Sequence, residues 1–157
     1  MTSNLNSILR TTNIPYNCHP EAPRHLTVNI TDGPTDMSFG GVSQMPPQIF
    51  EKLNGYSNKF WGWGGEDDQM YWRIKKMLKL PIYEPNKKNC LFDMLGHQVH
   101  GEKLNQPNPN RIREIKNYKY YEKEGLTNCQ YEVKEKRFCS LFSHFLVDLF
   151  APSGLKG

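Results

Sequence analysis

Nine consecutive residues, Phe60-Trp61-Gly62-Trp63-Gly64-Gly65-Glu66-Asp67-Asp68, set two indoles, three glycines and three acids against the start of an amphipathic segment. Beyond them Met70, Ile74, Met77 and Leu78 recur at helical spacing and Pro81 stops the pattern, so the sequence predicts a helix over 67–80. A glycine-rich turn must therefore deliver acids to a helix start. Indole faces present weakly polarised C–H surface to a pyranose, and glycines let the backbone approach a ligand closely. An ionised Asp is an acceptor only, able to take a hydrogen bond and then a proton from an attacking hydroxyl. The helix start favours the charged carboxylate and predicts a lowered pKa for Asp67 and Asp68. The same composition also suits an ordinary packed loop with first-turn acids, and composition alone leaves both readings open.

A chain of 157 residues with 37% hydrophobic and 12% aromatic content is long and apolar enough for one core, which predicts one globular domain. No apolar run approaches the ~20 residues of a membrane helix. Met1 to Arg10 lacks the basic start and apolar stretch of a signal peptide, so the chain by itself is not expected to enter the secretory pathway. Cys18, Cys90, Cys129 and Cys139 contain no CxxC pair, which argues against structural zinc and leaves disulfides open. Asn29-Ile30-Thr31 is a glycosylation sequon that matters only in a lumenal setting.

The net charge of +4 comes from scattered lysines, and Tyr118-Lys119-Tyr120-Tyr121 hints at a stacking surface for nucleic acid. Acids at 114, 122, 124, 132 and 135 break the run, and a solvated helix face explains it more simply. No nucleic-acid partner is expected. Strands are predicted at His25–Ile30, Phe39–Ser43, Cys129–Val133 and Phe145–Leu149, a helix at Pro46–Leu53, and a long loop of lid type over 96–110.

Phe39-Gly40-Gly41-Val42-Ser43, Phe50 to Asn58 and the Trp-Gly-Trp-Gly-Gly-Glu-Asp-Asp run resemble, in order and spacing, the β-1,4-galactosyltransferase family, glycosyltransferase family 7. The likeness continues through Pro107–Arg111, Glu124-Gly125-Leu126 and Val147-Asp148-Leu149 and reaches back to Pro23-Arg24-His25. It implies an α/β glycosyltransferase-A type fold, represented by its C-terminal half: a mixed sheet with flanking helices and a long mobile loop. Residues 1–13 are then a divergent leader lacking the family's Asp-x-Asp motif, and 14–157 the galactosyltransferase C-terminal domain, in a chain expected to be a truncated form. The implied activity is inverting transfer of galactose, or N-acetylgalactosamine, from a UDP-sugar to the 4-hydroxyl of a GlcNAc-terminated acceptor. The alternative is a catalytically inactive carbohydrate-binding remnant. The family works in the Golgi.

By that resemblance Asp67 is the base, with Glu66 and Asp68 positioning acceptor and donor. Trp63, Gly64, Phe39, Gly40 and Gly41 line the sugar pocket, while Arg111, Ile112 and Ile115 hold the acceptor's N-acetyl group. Ser38, where the family often has an aromatic, makes UDP-GalNAc a plausible donor beside UDP-Gal. A Met-x-x-His element completes a Mn²⁺ site in the family, which points to Met94 and His97. Imidazole is the better ligand, so His100 stays open beside the soft thioether. Arg10-Thr11-Thr12-Asn13 stands where the Asp-x-Asp ligand belongs, so the manganese site is expected to be incomplete.

Overall fold

The computed structural model describes residues 7–9, 21–27, 30–31, 39–62, 64–86, 88, 90, 92–94 and 109–150. Its strands are β1 (Ser7–Leu9), β2 (Arg24–His25), β3 (Ile30–Thr31), β4 (Ser43–Gln44), β5 (Phe92–Met94), β6 (Glu132–Phe138) and β7 (Ser143–Asp148). The α-helices are α1 (Pro47–Lys52), α2 (Glu66–Arg73) and α3 (Arg111–Lys116). The first sheet is mixed, in the order β1-β5-β3, with β1 antiparallel and β3 parallel to β5. Three residues of the stretch expected to be a divergent leader thus form a strand paired with β5. A second, antiparallel pair joins β2 to β4, and Tyr83 extends it through bonds to Pro23 and His25.

The single strand predicted over His25–Ile30 is two short strands in different sheets. Thr27 shows why the ladder stops. Its hydroxyl donates to the Gly40 carbonyl at 2.9 Å and accepts the Val42 N–H at 3.1 Å, so a side chain takes the place of strand pairing. Phe39 and Gly40, predicted as strand, therefore form a turn that reaches strand geometry only at Ser43.

The helix predicted at Pro46–Leu53 is α1, with Pro at its first position and Leu53 as its C-cap. The helix predicted over 67–80 is α2 continued by a π-helical turn, Ile74–Leu78, which ends on Lys79 in left-handed geometry. The apolar spacing puts Met70 and Ile74 in the core with Phe39, Ile49 and Leu53. Truncating such a side chain to Ala costs about 2–5 kcal/mol. A smaller cluster of Leu26, Cys90 and Phe92 packs under Val42.

Arg73 lies on the same buried face as Met70 and Ile74 and is fully buried. Burying a guanidinium is expensive unless every N–H finds an acceptor. Here Nε donates to Gln69 Oε1 at 3.1 Å, Nη1 to the carbonyls of Leu53 and Tyr121, and Nη2 to the Glu124 carbonyl and its carboxylate at 2.9 and 2.6 Å. The other Glu124 oxygen accepts Ser57 Oγ–H and Asn58 N–H at 2.9 and 3.0 Å. Asn54 adds bonds to Glu122 and Thr127. Together they zip 53–58, the run-up to the Trp-Gly turn, onto 121–128.

That zipper also explains the charged run read as one helix face. Residues 116–136 divide into the end of α3, 3-10 turns at Tyr118–Lys123 and Leu126–Asn128, and β6. The break falls at Gly125, whose φ of 140° and contact with Asn54 exclude a side chain: a Cβ would sit 1.9 Å from the Asn54 carbonyl oxygen. The predicted strands at 129–133 and 145–149 form the hairpin β6–β7, with a register shift between Val133 and Glu135. Most of its side chains are exposed, including Phe138 and Phe145, which pack edge to face on each other. No helix among the described residues is long and apolar enough to cross a membrane.

Candidate functional site

The glycine turn delivers its acids in a specific way. Gly65 caps α2 with φ 99°, and a Cβ there would meet Phe60 at 2.7 Å and the Arg111 Cβ at 2.8 Å. The turn is thus pinched between Phe60 and the start of α3. Gly64, also at positive φ, leaves a Cβ position 3.8 Å from Arg111 Cδ. Glu66, Asp67 and Asp68 follow as the first turn of α2.

Burial dominates their electrostatics. The Asp67 carboxyl is pushed up to about 6, first by loss of solvent and then by the negative charges of Glu66 and Asp68. Asp68 is raised by burial and pulled back by Arg111. The lowering predicted from the helix start is therefore reversed: desolvation and like charge outweigh the dipole in this half-buried turn. Glu66 Oε2 is buried and has no hydrogen-bond partner among the described residues. Such an orphaned acceptor is costly. Tyr56 sits in the same field, its hydroxyl pushed up to about 12 by burial and by Asp67 and Glu66, while a hydrogen bond with Ser43 opposes the shift.

The Phe39-Gly40-Gly41 turn lies beside these acids, Phe39 N–H reaching the Asp67 carbonyl at 3.4 Å. Phe39 was expected to line a sugar pocket. The whole residue is only 2% exposed and its ring belongs to the core with Met70 and Ile74, so Phe39 does not line a pocket. His25 Nε2 lies 3.0 Å from the Gly40 carbonyl and 3.1 Å from Thr27 Oγ, which requires the proton on Nε2, bifurcated between the two. Burial lowers the pKa of His25, favouring that neutral ring. Gly41 is exposed at the tip of the turn.

Of the acceptor-side residues, Arg111 starts α3 against Gly65 and Asp68. Ile112 is 60% exposed, and the Ile115 carbonyl accepts the Tyr121 hydroxyl. The structure thus gathers Gly64, Glu66, Asp67, Asp68 and Arg111, with Gly40 and Gly41 on the neighbouring turn. Trp63, His97 and His100 lie outside the described residues, as does the predicted loop apart from its last two positions. Met94 ends β5 opposite Ser7. Among the described residues no group of three or more His, Cys, Asp or Glu could hold a metal ion.

Sequence reasoning missed Tyr56, His25 and the Arg73–Glu124 pair. His25, Tyr56 and Glu124 lay in segments singled out only for their resemblance, whereas Arg73 left a local signal, a cation three residues after Met70 and four before Met77, on the apolar stripe.

A family model described as the N-terminal domain of galactosyltransferase matches residues 25–98. β-1,4-Galactosyltransferase 3 of Cricetulus griseus is 30% identical over 151 residues, 88% of this chain and 38% of that protein. β-1,4-Galactosyltransferase 2 of Mus musculus is 34% identical over 142 residues, 87% of this chain and 37% of that protein. The chain thus spans little more than a third of the length of these relatives. A solved Drosophila β-1,4-galactosyltransferase 7 mutant, in complex with manganese, UDP-Gal and xylobiose, superposes with a TM-score of 0.74 at 20% identity, over 93% of this chain and 65% of that one. A second structure of that enzyme's catalytic domain, with xylobiose, gives 0.72.

The fold is the α/β fold of galactosyltransferase catalytic domains. The chain belongs to the β-1,4-galactosyltransferase family. The matched model describes an N-terminal domain, which corrects the C-terminal placement expected from motif order.

Proposed function

We propose that this chain contributes the base and acceptor side of an inverting transfer of galactose, or N-acetylgalactosamine, from a UDP-sugar to a hydroxyl of a sugar acceptor, on a glycosyltransferase-A type scaffold. The observation that supports it is the Asp67 carboxyl, raised to about 6 in a half-buried turn beside Glu66 and Asp68. At neutral pH such a group is mostly ionised yet more basic than an ordinary aspartate, which suits a general base. Inversion in one displacement needs only one. An acceptor hydroxyl donating to Asp67 loses its proton there as its oxygen attacks the donor's anomeric carbon.

Glu66 holds the acceptor by a second hydroxyl, which would satisfy the orphaned Oε2. Asp68, tied electrostatically to Arg111, orients the turn. Trp63 and Gly64 cover a sugar face, the backbone at Gly40 and Gly41 closes the neighbouring side, and Arg111, Ile112 and Ile115 receive an N-acetyl group. The fly enzyme's complex with UDP-Gal and xylobiose supports a nucleotide-sugar donor and a saccharide acceptor. The acceptor ends in GlcNAc, and the reaction belongs to the Golgi. The alternative of an inactive remnant has no support in the relatives.

Manganese accompanies UDP-Gal in the fly complex. The donor set here does not fit that ion: Met94 is a soft thioether, His97 and His100 are neutral imidazoles, and Arg10 to Asn13 supply no carboxylate. The test is transfer from UDP-Gal to GlcNAc and xylose acceptors by the chain and by its Asp67→Asn form. Asp67→Asn is expected to lose transfer on the order of 10²–10⁴-fold with unchanged fold. Retention of most of the activity refutes Asp67 as base.

A further inference from the structure

The C-terminal end of α2 and the 3-10 turn at Tyr118–Lys123 build a second surface, beginning one turn beyond the carboxylates. Tyr71 meets Trp72 edge to face with centroids 5.4 Å apart, Trp72 meets Tyr118 at 6.2 Å, and Tyr118 meets Tyr121 at 5.6 Å. Lys76 reaches across two of these rings, its Nζ 5.3 Å from the Trp72 centroid and 5.6 Å from that of Tyr118. Lys75 stands 5.8 Å over Tyr71. Tyr118 is 41% exposed, and Lys76 is exposed too.

The two segments that carry these rings are rich in cations. From Gln69 to Tyr83 the sequence holds Arg73, Lys75, Lys76 and Lys79 and no acid, and Lys116 to Tyr121 likewise has lysines only. Among the described residues neither Lys75 nor Lys76 enters an ion pair. An ammonium held between two rings is already ordered, so less side-chain freedom is lost when an anion arrives, and its N–H donors stay available.

We propose that Trp72, Tyr118, Lys75 and Lys76 form a binding site for an acidic glycan, its sugar rings against the exposed aromatic surface and its uronate or sulfate groups on the two ammonium ions. The geometry connects it to the candidate site. Asp68 and Trp72 are one turn apart on α2, and Lys76 one turn further, so at 1.5 Å per residue the two surfaces are separated by about 6–12 Å along the helix. A glycan occupying the carboxylate turn and running along α2 meets the lysines within a few sugar units. Aromatic and cationic groups together would serve single-stranded nucleic acid as well. The choice of glycan rests on the transfer reading.

The experiment is calorimetric titration of the full chain, at low salt, with a heparin-derived hexasaccharide, neutral cellohexaose, an oligonucleotide of matched charge and anionic phospholipid vesicles. Binding to the sulfated hexasaccharide, absent for cellohexaose and weakened about tenfold or more by Lys75→Gln with Lys76→Gln, is expected, the loss of two charge-assisted contacts. Lys52→Gln with Lys136→Gln removes the same charge from exposed positions elsewhere and is expected to leave binding unchanged. Equal weakening by both pairs, no binding, or tighter binding to oligonucleotide or vesicles overturns the proposal. Asp67→Asn separates the two readings, since it is expected to abolish transfer while the weakening caused by Lys75→Gln with Lys76→Gln persists in its background.

Discussion

Replacing Glu124 by Gln changes almost no volume and removes one charge, from a place where the structure gives it three separate tasks. One carboxylate oxygen neutralises the fully buried Arg73 at 2.6 Å, and the other accepts both Ser57 Oγ–H and Asn58 N–H. A Gln cannot serve both ends. Its NH₂ faces either the guanidinium or the Asn58 amide, donor against donor in both cases. Breaking a buried pair from one side typically costs 3–5 kcal/mol. For a domain of this size, each kcal/mol lowers Tm by roughly 2–4 °C, so Glu124→Gln is expected to lower it by about 6–20 °C. Thermal unfolding followed by near-ultraviolet circular dichroism measures this. Arg73→Met combined with Glu124→Leu removes both charges and should unfold above the single variant. A Glu124→Gln loss below about 1 kcal/mol, or a double variant less stable than the single, would refute the account of the pair.

In active protein, transfer should rise with pH through about 6, since the raised Asp67 carboxyl must ionise to act, and a rate profile rising near 4 instead would remove the burial argument. The same shift means that the folded chain holds this proton more tightly than the unfolded one, so the contribution of Asp67 to stability declines as pH climbs from 3.8 to about 6, and Asp67→Asn should flatten that slope in urea titrations. His25 acts in the opposite sense: its lowered pKa makes stability fall as pH drops below 6.5, a dependence His25→Gln should reduce. Gly125→Ala places a Cβ 1.9 Å from a backbone oxygen at φ 140° and should destabilise by more than the roughly 1 kcal/mol of an ordinary helical Gly/Ala difference, measured by denaturant midpoint. Phe138→Thr with Phe145→Thr, at 75% and 50% exposure, should slow aggregation in light scattering with little change in Tm.

The sequence was most legible where local chemistry decides structure. Pro47 and the spacing of Ile49 and Leu53 define α1, and Met70, Ile74 and Pro81 define the helix after the Trp-Gly turn, because these signals act over a few residues. It was least legible where partners are distant. Nothing near Thr27 says that its hydroxyl will replace a strand ladder, and nothing near Asp67 says that burial will outweigh the helix dipole. The ring of Phe39 lies in the core rather than at a sugar surface for the same reason: the motif specifies residues, while their facing is set by α1 and α2 packing behind them.

Arg73 also governs when this site can come into being. Its acceptors at Tyr121 and Glu124 lie 48 and 51 residues further along the chain. Until that stretch has been synthesised and has closed back, a cost that grows only as the logarithm of loop length, the guanidinium has no counterion and is better left in water. Helix α2 can be helical before then, but its inner face cannot bury. The inner face of α2 is therefore expected to pack only after Glu124 has been made, and a nascent chain released before that point would carry the carboxylate motif on a helix whose buried cation has no counterion.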